Sequence, residues 1–143
     1  MSSRRFPKRP WISAHAIIFD PKKRVLLTKR AAPPKQNHWF PPGGAIDVGE
    51  TVEEGLKREI KEETDITVNN LRFVDFIDGI TRNAEGEVVY HFVVFMYTAN
   101  YLEGIIEAKD DALEVKWVSI QDVVSKKILV PEELTSILKK IMD

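Results

Sequence analysis

Three glutamates carry the clearest chemistry in this chain. Glu59, Glu62 and Glu63 stand at i, i+3 and i+4, and at about 100° per residue an α-helix brings that spacing onto one face. Carboxylates so close repel one another, and a bound divalent cation offsets the repulsion best. Clustered carboxylate oxygens favour hard ions such as Mg2+, with Mn2+ as an alternative, over zinc. Lys57, Arg58 and Lys61 are interleaved with the acids, so the same run also reads as a solvated face of Glu–Lys pairs. Gly55 lies on the acidic face, one turn before Glu59. A glycine inside a helix costs about 1 kcal/mol relative to alanine, so its presence calls for a close neighbour: a substrate, a loop or a packed strand. The chain has no cysteine, which excludes a disulfide framework, a thiol nucleophile and a thiolate metal site. His15, His38 and His91 share no metal-ligand spacing and read as structural or surface residues.

The element that must present the glutamates is a helix over residues 51–64. Thr51 followed by Glu54 has the spacing of a capping box. Val52, Leu56 and Ile60 recur every four residues and form an apolar stripe on a different side of the helix. Ahead of it, Ile12–Phe19 reads as a strand and Asp20–Lys23 as a turn, with Arg24–Arg30 as the second arm of a hairpin. Residues 31–38 read as a loop. Pro41, Pro42, Gly43 and Gly44 disfavour regular structure and let the backbone approach a ligand closely. Beyond the helix, Ile66–Val68, Leu71–Ile77, Val88–Thr98 and Leu113–Val118 read as strands, with a turn at Asn83–Gly86. Ser119 caps a short helix to Val124, and Pro131 opens a final one to Met142, with Leu134, Ile137, Leu138 and Ile141 inward. The simplest assembly is of the α/β (α+β) class: a mixed sheet with helices on both sides.

At 143 residues, with 43% apolar and 30% charged residues, the chain suits one globular domain with a real core. A formal net charge of -1 supplies no global attraction to nucleic acid or membrane, and neither partner is expected. Residues 1–10 form a basic tail, with Arg4, Arg5, Lys8 and Arg9 and no acid, ahead of a single domain over 11–143. The tail reads as frayed, or as a contact for an anionic substrate or a partner subunit. No run has the length of a signal-peptide core or a membrane span. The lack of cysteine suits the cytoplasm, and the end of the chain soon after the last helix suggests no DNA-binding extension.

Gly44, five residues, Glu50, seven residues, then Arg58-Glu59-Ile60-Lys61-Glu62-Glu63-Thr64-Asp65-Ile66 closely resembles the Nudix box, G-x5-E-x7-R-E-U-x-E-E-x-G-U, where U is aliphatic. Each fixed position matches except one, where Asp65 stands in place of glycine. The resemblance spans most of residues 12–124, including Trp39, the Pro-Gly-Gly run and Glu114–Val118. It implies a Nudix-type α/β/α sandwich and hydrolysis of a diphosphate with Mg2+ or Mn2+. Position by position, it implies that Glu59, Glu62 and Glu63 bind metal and that the Gly43 carbonyl reaches it. It also implies that Arg58 orients a box glutamate by an ion pair. Glu50 matches the loop glutamate, whose role varies among members. Asp65 is expected to take the left-handed conformation at the helix end, at modest cost.

The general base in such enzymes comes from the box, as Glu59, or from a later loop. Glu103, Glu107, Asp110 and Asp111 lie in that loop here, and Glu107 is the choice among them. Arg30 with its Ala-Ala-Pro-Pro run, together with Trp39 to Gly44, is similar to members that hydrolyse ADP-ribose and related sugar nucleotides. Arg30, Trp39, Gly44 and Glu50 are therefore the expected substrate-binding residues. Phe6, Trp11, Trp39 and Phe76 can either stack on a base or fill the core. Nucleoside triphosphates, including oxidised ones, are the alternative substrates. A sensor that binds nucleotides without cutting them is the rival outside enzymology, although such proteins often lose a box carboxylate and none is lost here. An isoprenoid diphosphate isomerase on the same fold would be expected to use a cysteine. The resemblance also implies a possible homodimer.

Overall fold

A computed structural model describes residues 4–142. In chain order its elements are β1 (Trp11–Phe19), β2 (Arg24–Arg30), β3 (Trp39–Phe40), β4 (Gly43–Ala45), α1 (Val52–Thr64), β5 (Thr67–Arg82), β6 (Val88–Glu103), β7 (Ala112–Ser119), α2 (Ile120–Val124) and α3 (Glu132–Met142). β1 runs parallel to β6, from Trp11 beside Phe92 to Phe19 beside Asn100, and β5 lies antiparallel along the outer edge of β6. β1 and β2 pair only at Phe19 and Val25, next to their turn. From there they splay. β4 lines β1 through Ser13, Ala14 and His15, while β3 lines β2 through Thr28 and Lys29. β7 covers the other side of β2. The splay leaves a wedge in the seven-stranded mixed sheet, closed by β3 and β4.

Each face of the sheet carries its own core. On one, Leu56 and Ile60 of α1 are fully buried against Ala14, Ala16, Ile18 and Leu26. On the other, Val123 of α2 and Leu134, Ile137 and Leu138 of α3 pack on Ile17, Leu27 and Met96. The expected mixed sheet with helices on both sides is thus observed. Burying Leu56 and Ile60 contributes roughly 2 kcal/mol each, and it fixes the rotation of α1 that turns the glutamates away from this core. No helix among the described residues is long and apolar enough to cross a membrane.

The start of α1 follows its local chemistry. The Glu54 amide donates to Thr51 Oγ1 at 3.1 Å and the Thr51 amide to Glu54 Oε1 at 2.8 Å, satisfying two of the unpaired donors of the first turn. At the other end Asp65 is left-handed, with φ 66° and ψ 17°, and its amide donates to Lys61 O. The loop before β7 supplies two more partners: the Glu107 amide donates to Thr64 O and the Lys109 amide to Glu63 O. An acid at a helix C-terminus is opposed by the helix dipole, and ion pairs from Lys61 and Lys109 offset this.

Four expectations need correction. Gly43 and Gly44 are not irregular: they form β4, because Gly43 lies so close to β1 that a Cβ would strike Ala14 O. The two segments expected around 66–77 are one strand, β5, which continues to Arg82 and absorbs register shifts between Asn69 and Arg72 and between Phe73 and Asp75. β6 continues five residues past Thr98, to Glu103. The described part of the basic tail is docked rather than frayed: the Phe6 amide donates to Val89 O at 2.8 Å, and Arg4 sits over the Trp11 ring.

Asp65→Gly relieves the left-handed strain at the cost of exposed ion pairs worth little. We expect it to stabilise by up to about 1 kcal/mol, and Asp65→Val, β-branched in the same conformation, to destabilise by about 1 kcal/mol or more. Urea unfolding checks this; equal stabilities for the two variants would contradict it.

Candidate functional site

The wedge between β1 and β2 opens toward the acidic face of α1. Gly44 on β4 has no side chain, and a Cβ there would fall on the Glu59 carboxylate. Glu59 is thereby seated against the strand that continues the sheet. Glu63, one turn on, reaches across to β2, where Thr28 Oγ1 lies 3.2 Å from its Oε1. The helix thus touches both sides of the wedge with two of the three clustered glutamates. Glu62 is the outermost, with its side chain 46% exposed.

Arg58 holds the outer half of this arrangement. Its guanidinium donates twice to Glu50, from Nη2 at 2.6 Å and Nε at 3.0 Å, the bidentate geometry that makes Arg–carboxylate pairs strong. Nη1 donates to Glu59 at 3.0 Å and to Glu62 at 3.1 Å. Nη2 also donates to Ala45 O and lies 3.3 Å from Asp47. These bonds from Arg58, with the Asp47 amide, hold the Glu50 carboxyl down at about 2. The close neighbour of Gly55 is found here too. A Cβ at Gly55 would come within 2.7 Å of Glu50 Oε1 and Ile46 Cδ1, so the glycine makes room for the loop that carries the arginine's main partner.

Glu63 has no guanidinium bonded to it. Burial pushes its carboxyl up to about 7, opposed by the Thr28 hydrogen bond and reinforced by the charge of Glu59, with the Gly43 amide and the Arg30 charge acting against the rise. Burial also raises Glu59, opposed by Arg58. A group of buried oxygens that resists ionising is one that lacks positive charge. On β1 His15 is neutral: burial lowers it to about 4, and its Nδ1–H donates to Pro41 O at 2.8 Å, holding the run into β4.

The structure therefore brings Arg58, Glu59, Glu63, Gly43 and Gly44 together, with Glu62 at the rim. Among the described residues no three acids or histidines converge into a ready cage, because Glu59 and Glu62 are turned onto Arg58. The donors are hard oxygens and suit a hard cation. Glu62 is half exposed, and such pairs with arginine are worth about 1 kcal/mol or less, so its carboxylate is easily drawn off. Arg30 is half-buried, donates from Nε to Pro34 O at 2.8 Å, and faces the charges of Glu63 and Asp111. Glu50 is committed to Arg58, which makes it a support rather than a free carboxylate for substrate. Trp39 is 8% exposed within the core on the α3 side. Its ring is covered by Lys116 Nζ at 4.5 Å, so it packs rather than stacks. Phe6 and Phe76 are about half exposed, and no contact ties either to the acids. Glu107 is exposed, its backbone fixed to the end of α1. Thr28 was not foreseen; a threonine in a strand reads only as a good strand former.

Known proteins resemble this chain throughout. An ADP-ribose pyrophosphatase from Methanocaldococcus jannaschii is 29% identical over 114 residues, 80% of this chain and 64% of that one. An 8-oxo-dGDP phosphatase from Danio rerio is 26% identical over 102 residues, covering 71% of this chain and 30% of its own length. The chain thus spans less than two thirds of either relative. The crystal structure of a MutT NUDIX hydrolase from Burkholderia pseudomallei superimposes with a TM-score of 0.75 at 26% identity, over 92% of this chain and 98% of that one. The NUDIX domain model matches residues 9–141, and with the box glutamates gathered at the mouth of the wedge, the chain belongs to the Nudix family.

Proposed function

We propose that the protein hydrolyses a diphosphate linkage in a nucleoside diphosphate derivative, with ADP-ribose or a related sugar nucleotide preferred, and that it depends on Mg2+ (Mn2+ can substitute). The observation that carries this reading is the seating of two neighbouring box glutamates on the two sides of the wedge, Glu59 against Gly44 of β4 and Glu63 against Thr28 of β2, both raised by burial. Glu59, Glu62 and Glu63, with the Gly43 carbonyl, would hold the cation. When bound, a divalent cation neutralises the diphosphate, polarises its phosphoryl oxygens and lowers the pKa of water. Glu59 is seated to take the proton from the attacking water; Glu107, on the loop at the end of α1, is the alternative base. Arg58 orients Glu59 and Glu62. Arg30, on the strand beside Glu63, supplies a fixed cation for a substrate phosphate. Gly44 keeps the backbone low enough for Glu59 and the substrate to share the cleft.

The likeness to the archaeal ADP-ribose pyrophosphatase supports the preferred substrate class. The likeness to the 8-oxo-dGDP phosphatase supports the second reading, an oxidised or ordinary nucleotide cleaved by the same machinery.

Incubation with Mg2+ and a panel of ADP-ribose, sugar nucleotides, dinucleoside polyphosphates and nucleoside triphosphates, followed by product identification, tests this. AMP and ribose 5-phosphate from ADP-ribose are the expected products; tight binding without any product would mean a sensor. Glu62→Gln and Glu63→Gln should lower kcat at least about a hundredfold, since the cation is worth several kcal/mol.

The raised Glu63 carboxyl sets a pH dependence in the absence of metal. Between the ordinary carboxylate value and about 7, the unfolded chain is ionised at this site and the folded one is not. Unfolding therefore releases a proton, and stability falls as pH rises through that window, by up to about 3 kcal/mol. In EDTA the Tm should drop between pH 5 and 7. Glu63→Gln should flatten the drop, and Mg2+ should reverse it; an equal drop in the variant would contradict the assignment.

A further inference from the structure

Thr28 is a buried hydroxyl on the side of β2 that faces α1. Along β2, Leu26 precedes it on the same side of the strand and is fully buried. Thr28 is itself only 4% exposed. A buried hydroxyl is costly unless it is bonded. This one has two acceptors, Phe40 O on β3 and Glu63 Oε1 on α1, each at 3.2 Å. A hydroxyl has one proton, two lone pairs and free rotation. It can therefore remain bonded to the β3 carbonyl while a carboxylate oxygen is engaged elsewhere, or give its proton to that carboxylate. Arg58 spends its hydrogen bonds on Glu50, Glu59, Glu62 and Ala45 O. The inner glutamate is left to Thr28 on β2 and the Gly43 amide on β4.

We propose that Thr28 is the positioning residue for Glu63: its hydroxyl gives its one proton to the Glu63 carboxylate rather than to Phe40 O and so fixes the direction in which that carboxylate faces the cleft. The proposal rests on the reading of Glu63 as a cation ligand. Outer partners that orient metal ligands typically change metal affinity by about 10- to 100-fold when removed. Valine has the same shape and β-branching as threonine and lacks only the hydroxyl, so Thr28→Val isolates the bond. Serine restores the hydroxyl.

The test measures Mn2+ binding without substrate, by the EPR signal of free Mn2+, for the wild type, Thr28→Val, Thr28→Ser and Glu63→Gln. The metal-free Tm of each is measured alongside. We expect Thr28→Val to bind Mn2+ about tenfold or more weakly with little change in metal-free Tm, and Thr28→Ser to bind within about twofold of the wild type. Wild-type affinity in Thr28→Val, together with loss in Glu63→Gln, would overturn the role of Thr28 alone. Wild-type affinity in Glu63→Gln would overturn the ligand reading and the positioning role with it. If Thr28→Val also loses metal-free stability, the serine variant decides: recovery of Mn2+ affinity supports the proposal, and affinity as weak as valine's overturns it.

Discussion

Negative charge is concentrated at one helix face, and the rest of the site answers to it. Asp47, Glu50, Glu59 and Glu62 all lie within 3.3 Å of the single guanidinium of Arg58. At an effective dielectric suited to partly buried groups, two like charges about 4 Å apart repel by roughly 4 kcal/mol. One arginine beside four acids lessens that repulsion and leaves an excess of negative charge. Glu63, further in, has no arginine bonded to it and resists ionising. The cluster is thus held in place without being neutralised, and this is the electrostatic condition for a site that captures cations.

The scaffold supplies three separate supports for that cluster. The splay of β1 from β2 opens the wedge, and β4 fits into it only because Gly43 and Gly44 carry no side chains. Gly55 does the same on the helix, admitting Glu50 and Ile46. The ends of α1 are fixed by Thr51 and Glu54 at one side and by Asp65 with the Glu107 and Lys109 amides at the other. Glu59 and Glu63 lie between these fixed points, on a helix whose rotation is set by Leu56 and Ile60. The places of Glu59 and Glu63 are therefore consequences of packing, while the Glu59 and Glu62 carboxylates are turned by their ion pairs with Arg58.

Features that depend on nearby residues were legible in the sequence. The capping box, the apolar stripe and the left-handed Asp65 all concern residues within a turn of one another, and each occurs as expected. The clustering of glutamates on one face follows from the helical repeat alone. Features set by residues far apart in the chain were not. Nothing near Gly43 in the chain indicates that β1 will lie against it, so the sequence around β4 reads as irregular. Gly55 called for a substrate, a loop or a strand beside it, and the neighbour is the box's own loop. Trp39 could as well have stacked on a base; its burial depends on Lys116 and on the Leu129 carbonyl that accepts its amide. Thr28 was hidden because threonine is ordinary in strands, and only its distance to Glu63 distinguishes it. The proposed reaction class is read from the box, whose residues are near neighbours, whereas selection of a nucleotide rests on such long-range arrangements.

The most direct measurement of the central claim is a crystal structure with Mn2+, using anomalous scattering to place the ion. The expected result is a peak at the mouth of the wedge, about 2.0–2.3 Å from carboxylate oxygens of Glu59 and Glu63, with the Glu59 or Glu62 carboxylate rotated off Arg58. A structure in saturating Mn2+ with no peak there, and with both glutamates still turned onto Arg58, would contradict it.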